Sequence, residues 1–160
     1  NAIAAAKADS GVELISGGRT WADPGYFVEP TVFRVQDPKH LLMQEELFGP
    51  VLAVYVYDDS AWDETLTLID GTSRYALTGS IFSNERAALH QAEAVLNFAA
   101  GNLYLNDKPT GAMVGQQPFG GDRASGTNDK AGSFINLMRW SSPRVVKENY
   151  APVRDWKFQL

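Results

Sequence analysis

The sequence has no cysteine, only two histidines and only three methionines. That excludes a disulfide scaffold and a thiolate metal site, although it says little about compartment. Cationic side chains are the minority, 14 Lys and Arg against 19 Asp and Glu, for a net charge of −5. Such a balance argues against a general nucleic-acid or anionic-membrane surface. No apolar stretch approaches the roughly 20 residues of a membrane span. No Gly-x-Gly-x-x-Gly stands between a strand and a helix, and there is no internal repeat or low-complexity segment. The start, Asn1-Ala-Ile-Ala-Ala-Ala-Lys7, has neither an initiator Met nor a signal-peptide layout. It reads as the last turns of a helix cut off upstream, ending near Gly11.

What is present is ordinary for a soluble globular domain, with 44% hydrophobic and 21% charged residues in 160. A chain of this length forms one domain and buries roughly 70% of its unfolded surface. The pattern alternates. Strands are expected at Val12 to Ile15, Thr31 to Val35, Val51 to Tyr57, Leu77 to Phe82 and Leu103 to Leu105. A short helical turn is expected at Leu41 to Glu46. Ser60-Ala-Trp-Asp63 reads as a capping box opening a helix to about Asp70. Asn84 reads as the cap of a helix to about Ala99, with Ala88, Ala92, Val95, Leu96 and Ala99 on one face and Gly101 as terminator. Strands alternating with helices predict an α/β fold with a mostly parallel, helix-covered sheet, whose ligands sit at the carboxyl ends of strands.

Two segments carry chemistry. The first is Gln44-Glu45-Glu46-Leu47-Phe48-Gly49-Pro50-Val51. Its Gly-Pro pair breaks regular structure just before an apolar strand, so the turn holds a carboxylate and a ring at the strand's edge. There they can grip a flat, polar ligand. The competing reading is a solvated Glu pair and a core phenylalanine. The second segment runs from Asn106 through Thr110-Gly111-Ala112-Met113-Val114-Gly115-Gln116-Gln117-Pro118-Phe119-Gly120-Gly121. It is rich in Gly and Pro yet nearly uncharged. Its large apolar groups suggest an ordered loop packed over something, not a flexible linker. Glycines also let backbone N–H groups approach an anion.

Both segments, in this order and at this spacing, resemble the aldehyde dehydrogenase superfamily. The stretch from Thr110 to Gly121 and then Arg123-Ala-Ser-Gly-Thr-Asn-Asp-Lys130 resembles its 1-pyrroline-5-carboxylate dehydrogenase branch. The likeness runs from about Gly17 through Trp156, including Gly25-Tyr-Phe-Val-Glu-Pro-Thr31 and Arg139-Trp-Ser-Ser-Pro-Arg-Val-Val-Lys-Glu148. The resemblance implies oxidation of L-glutamate 5-semialdehyde to L-glutamate with NAD, in proline breakdown. It implies that Glu46 binds the nicotinamide ribose and Phe48 packs beside the nicotinamide. It also implies that Gly111 and Ala112 hold the substrate carboxylate through backbone N–H groups, while Phe119 lines the aliphatic part.

The sequence departs from the superfamily in lacking the cysteine nucleophile. By the resemblance, that cysteine and the glutamate base precede the Glu-Glu-x-Phe-Gly-Pro segment. No catalytic residue is therefore expected in this chain, which reads as the C-terminal part of an enzyme and is expected to be inactive alone. Two other readings stay open: a dehydrogenase of another acidic aldehyde, or a naturally short, noncatalytic assembly module. Residues 1–138 are expected to form the C-terminal portion of the catalytic domain. Residues 139–160 are expected to form an oligomerisation flap and tail, with a strand at Arg144 to Tyr150 supporting a homo-oligomer. The resemblance places such an enzyme in the cytoplasm of a bacterium or the mitochondrial matrix of a eukaryote.

Other polar residues favour plainer roles. His90 lies off the apolar face of its helix, and His40 has no partner ligand nearby, so no metal site is expected. Asp58-Asp59 reads as a turn. Arg123 either attracts a carboxylate or is solvated or ion-paired.

Overall fold

A computed structural model describes residues 1–151, 154 and 155. Helix α1 (Ala2–Ala8) leads into strand β1 (Val12–Ser16), and a small hairpin of β2 (Thr20–Trp21) and β3 (Phe27–Val28) follows. β4 (Thr31–Val35) lies at the centre of a three-stranded sheet, antiparallel to β1 and parallel to β5 (Val51–Tyr55). Alternation along β4 buries Thr31, Phe33 and Val35 on one face, and Ala6 of α1, which packs on β1, is buried as well. The opposite face, with Leu52 and Val54 of β5, is open.

A second core lies between α3 (Trp62–Thr72) and α4 (Arg86–Val95), built on Leu66, Ala92 and Leu96 with Trp62, Ile81 and Ala99 packed around them. It rests against β7 (Thr78–Ile81), which pairs in parallel with β8 (Asn102–Leu105). β6 (Tyr75–Ala76) pairs antiparallel with β9 (Asp122–Arg123). α2 (Leu41–Gln44) and α5 (Phe134–Met138) are single turns.

The fold is thus mixed α/β, and the expected mostly parallel sheet is corrected. Among the described residues two ladders are parallel and three antiparallel, because hairpin and edge pairings accompany the two crossovers. The capping box is corrected too. Asp58, not Ser60, accepts the Ser60 N–H at 2.9 Å and opens a 3-10 turn ahead of α3. α4 stops at Val95, before Ala99.

Gly101 does not terminate that helix. A Cβ there would lie 2.0 Å from the Gly120 carbonyl oxygen, so the glycine permits two backbone segments to touch. The expected strand at Arg144 to Tyr150 is not found among the described residues. A strand needs a partner for its N–H and C=O groups, and residues 141–150 are all exposed with no ladder beside them. The rest of the expected tail, at 152, 153 and 156–160, lies outside the described residues.

Candidate functional site

The Glu46–Phe48 segment is set from both sides. His40 caps α2, its Nδ1 accepting the Leu42 N–H at 3.1 Å, and the helix ends in extended backbone at Glu45. Downstream, the Val51 N–H closes a tight turn onto the Gly49 carbonyl at 2.8 Å. The Pro50 carbonyl accepts the Thr31 N–H at 2.8 Å, tying the turn to the buried strand β4.

Between these anchors Phe48 adopts φ +50, a left-handed conformation that costs a non-glycine residue on the order of 1 kcal/mol. Its ring is 91% exposed, so the core reading of Phe48 is set aside. The ring borders a cleft of about 600 Å³ with Lys7, Gly18, Thr20 and Val28. Glu46 is exposed and lines a different cleft of about 280 Å³, with Met43, Ser73, Tyr75 and Thr78. No described hydrogen bond or ion pair engages its carboxylate. An uncommitted carboxylate and an uncovered ring two residues apart suit a ligand that joins hydroxyl groups to a flat ring.

The second segment leaves the carboxyl end of β8. Asn106, at φ +54, brackets the backbone of Ser83: its Oδ1 accepts the N–H at 2.9 Å and its Nδ2 donates to the carbonyl at 3.0 Å. The chain then runs without regular structure to Gln117. Gly111 is exposed, a Cβ added there would meet nothing within 4 Å, and no described hydrogen bond uses its N–H. Ala112 is half-buried. Met113 and Val114 are 57% and 100% exposed, so the expectation of a loop packed over something is corrected: no described part of the chain covers them.

Phe119 sits where the loop becomes ordered again. It exchanges two backbone hydrogen bonds with Ala131, at 2.9 and 2.7 Å. Neither cleft bordered by Glu46 or Phe48 includes a residue of 111–119.

Sequence reasoning missed two residues here. Asn102 donates to the Pro118 carbonyl at 2.9 Å and accepts the Gly120 N–H at 3.2 Å. Lys130 directs its ammonium at the carbonyls of Gly101 and Gly120 and at the Asn102 Oδ1. Burial pushes the Lys130 ammonium below its usual range, and the nearby Asp122 charge offsets part of that. The available signal was a lone polar residue opening the apolar run Asn102-Leu-Tyr-Leu105.

Arg123 is ion-paired. Its guanidinium binds the Asp70 carboxylate and donates to the Asp70 carbonyl at 2.6 Å, which removes it as a free anion receptor. His40 Nε2 faces Asp9 at 3.5 Å, and His90 accepts from Arg86 at 3.2 Å. Among the described residues, no group of three or more His, Cys, Asp or Glu is placed to hold a metal ion. No helix among them is long and apolar enough to cross a membrane.

The model of the aldehyde dehydrogenase family matches residues 1–146. The chain belongs to that family. It is 57% identical over 153 residues to the mitochondrial delta-1-pyrroline-5-carboxylate dehydrogenase of Dictyostelium discoideum, covering 96% of this chain and 27% of that protein. It is 50% identical over 153 residues to the protein of the same name in Homo sapiens, with the same coverage. Among solved structures, the Mycobacterium tuberculosis delta-pyrroline-5-carboxylate dehydrogenase bound with NAD superposes with a TM-score of 0.80 at 50% identity. That match covers 97% of this chain and 28% of the other. The chain therefore spans about a quarter of the length of the relatives it matches. The family's structural likeness extends to the indole-3-acetaldehyde dehydrogenase solved with NAD+, at TM-score 0.73 and 29% identity.

Proposed function

We propose that this chain contributes to an NAD-dependent dehydrogenase that oxidises L-glutamate 5-semialdehyde, formed from 1-pyrroline-5-carboxylate, to L-glutamate. The carrying observation is the match of 153 residues at 57% identity to a delta-1-pyrroline-5-carboxylate dehydrogenase, because that stretch spans both candidate segments. The balance is aldehyde, water and NAD+ going to carboxylate, NADH and two protons. NAD, when bound, takes up the hydride.

The residues of this chain bind and orient. Glu46 would accept a hydrogen bond from the nicotinamide ribose, and Phe48, already uncovered, would pack beside the nicotinamide. Gly111 and Ala112 hold the substrate carboxylate through backbone N–H groups, which lie at the carboxyl-end side of β8. Phe119 lines the aliphatic part of the substrate. The cysteine that attacks the aldehyde, and the glutamate that activates water against the resulting thioester, belong to other parts of the enzyme.

The surface supports a partial reading. The chain exposes 12365 Å², against roughly 8,000 Å² expected for a compact monomer of this mass. Leu52, Val54, Val56, Met113 and Val114 are among the apolar groups left open. On this reading residues 1–138 are the C-terminal portion of the catalytic domain, and 139–160 are an oligomerisation flap and tail. The enzyme works in the mitochondrial matrix if its source is a eukaryote, in line with the names of the relatives, and in the cytoplasm if it is a bacterium.

The test uses the full-length protein and follows NADH with glutamate semialdehyde and with an uncharged aldehyde of similar length. Gly111→Val has room within this chain, so it probes ligand approach instead of folding. It is expected to raise KM for the semialdehyde by about tenfold or more, leaving the uncharged aldehyde little changed, while Ala112→Ser is nearly neutral. Equal damage to both aldehydes would make the loop structural and remove support for the acidic substrate.

A further inference from the structure

Strand β8 presents Asn102 and Tyr104 on one face, two residues apart, and both reach the segment that carries Phe119. Asn102 holds the Pro118 carbonyl and the Gly120 N–H, flanking Phe119 on either side, at 2.9 and 3.2 Å. Tyr104 accepts from the Gln117 amide at 3.3 Å. From the other side Lys130 spans the join between the two segments, its ammonium meeting oxygens of Gly101, Gly120 and Asn102. An ammonium has three donors, and here three oxygens receive them with no carboxylate among them. The lysine thus ties backbone to backbone and does not form an ion pair.

The Lys130 backbone is at φ +53, a conformation that persists only where the surroundings hold it. Around this knot the packing leaves no slack, since a Cβ on Gly101 would overlap the Gly120 carbonyl.

We propose that Asn102 and Lys130 are positioning residues that fix the Phe119 turn against the end of β8, and so set the reach of the aldehyde pocket for an acidic substrate. The assignment rests on the proposed function, in which Phe119 lines the aliphatic part of the substrate. The Phe119 backbone is held by Ala131 and, through its two neighbours, by Asn102, so these tethers fix the point from which the ring projects. A turn without them is free to swing, and a shift of about 1 Å in a substrate-positioning group lowers turnover of the affected substrate by about 100-fold. Neither residue touches the reacting atoms.

Asn102→Ala and Lys130→Met in the full-length enzyme are the test, with Asn102→Asp as a milder variant that keeps the Oδ1 acceptor and loses the donor to Pro118. Two readouts are needed: steady-state kinetics with glutamate semialdehyde and NAD, and backbone amide exchange over residues 117–121. The expected result is faster exchange in that segment, a KM for the semialdehyde raised by about tenfold or more, and an unchanged KM for NAD. Asn102→Asp should fall between wild type and Asn102→Ala.

Faster exchange with an unchanged semialdehyde KM would overturn the assignment, because the tethers would then serve stability alone. Unchanged exchange would overturn it as well, by showing that the turn holds without them. Wild-type enzyme that fails to oxidise the semialdehyde would overturn the proposed function at the outset, and this assignment with it. That failure is distinguishable because it appears before any variant is compared. Should Asn102→Ala or Lys130→Met not fold, Asn102→Asp supplies the same comparison.

Discussion

Gly101→Ala should be among the most damaging single-methyl additions in this chain. The added Cβ would lie 2.0 Å from the Gly120 carbonyl oxygen, 2.8 Å from Gly121 Cα and 2.9 Å from the Gly120 carbonyl carbon. All three neighbours are backbone atoms, so no rotamer change relieves the overlap, and the segments must part by more than about 1 Å to reach ordinary contact. Parting them strains the Gly101 N–H bond to the Ala76 carbonyl, 2.8 Å long, and pulls apart the two carbonyls that Lys130 joins. Overpacking of about 1–3 kcal/mol, with two hydrogen bonds weakened at about 1 kcal/mol each, gives a loss of about 3–5 kcal/mol.

Gly71→Ala is the matched control. It adds the same methyl inside α3, where nothing lies within 4 Å, and should be neutral or stabilising by up to about 1 kcal/mol from helix propensity. Urea unfolding of the full-length variants, read by tryptophan fluorescence, measures both. A Gly101→Ala loss within about 0.5 kcal/mol of wild type would refute the close approach and, with it, the knot that holds the Phe119 turn.

In the full-length enzyme, Glu46→Gln keeps the shape and removes the charge of an uncommitted carboxylate. The proposed ribose contact is worth about 1.5–3 kcal/mol, so KM for NAD should rise by about tenfold or more with little change for the aldehyde. Unchanged NAD kinetics would leave Glu46 a solvated carboxylate. Deleting the chain from Ser141 onward should lower the oligomeric state, because Val145 and Val146 are 92% and 72% exposed, with no strand partner among the described residues. Light scattering that gives the same mass before and after deletion would reject the flap.

Periodicity located most elements, because alternation and helical spacing are local properties of the chain. Val51-Leu-Ala-Val-Tyr55 and Thr31-Val-Phe-Arg-Val35 are strands, and the face through Ala92 and Leu96 packs as expected. Most of what failed depended on partners far away in sequence, the cap at Ser60 being a local exception. Ser60 has the residue type for a cap, yet Asp58 reaches the same turn first and accepts from both the N–H and the hydroxyl of Ser60. Gly101 resembles a helix terminator, and only the approach of Gly120 explains why a side chain is excluded there. The strand pairing of β6 with β9 joins Tyr75 to Arg123 across 48 positions, which no window of local pattern contains. Arg123 was ambiguous in sequence for the same reason: its partner Asp70 lies one helix and three strands upstream.

The candidate site was legible by a different route. Glu46 and Phe48 gave a weak local signal, and the family likeness raised it. The structure adds a physical reason to look there, because the chain itself leaves both residues uncommitted. A large ring is held out of the core in a left-handed backbone, and a carboxylate lines a cleft with no described partner. Neither arrangement stabilises this chain by itself, yet the turn that enforces them is tied to buried β4 through Pro50. Sequences that specify one fold satisfy local and global preferences together, and departures concentrate where a ligand or partner supplies the missing contacts. Asn102 and Lys130 show the converse. The Asn102 amide and the Lys130 ammonium are both engaged internally, so they left no such signature, and their influence on a substrate would pass entirely through the backbone of Phe119.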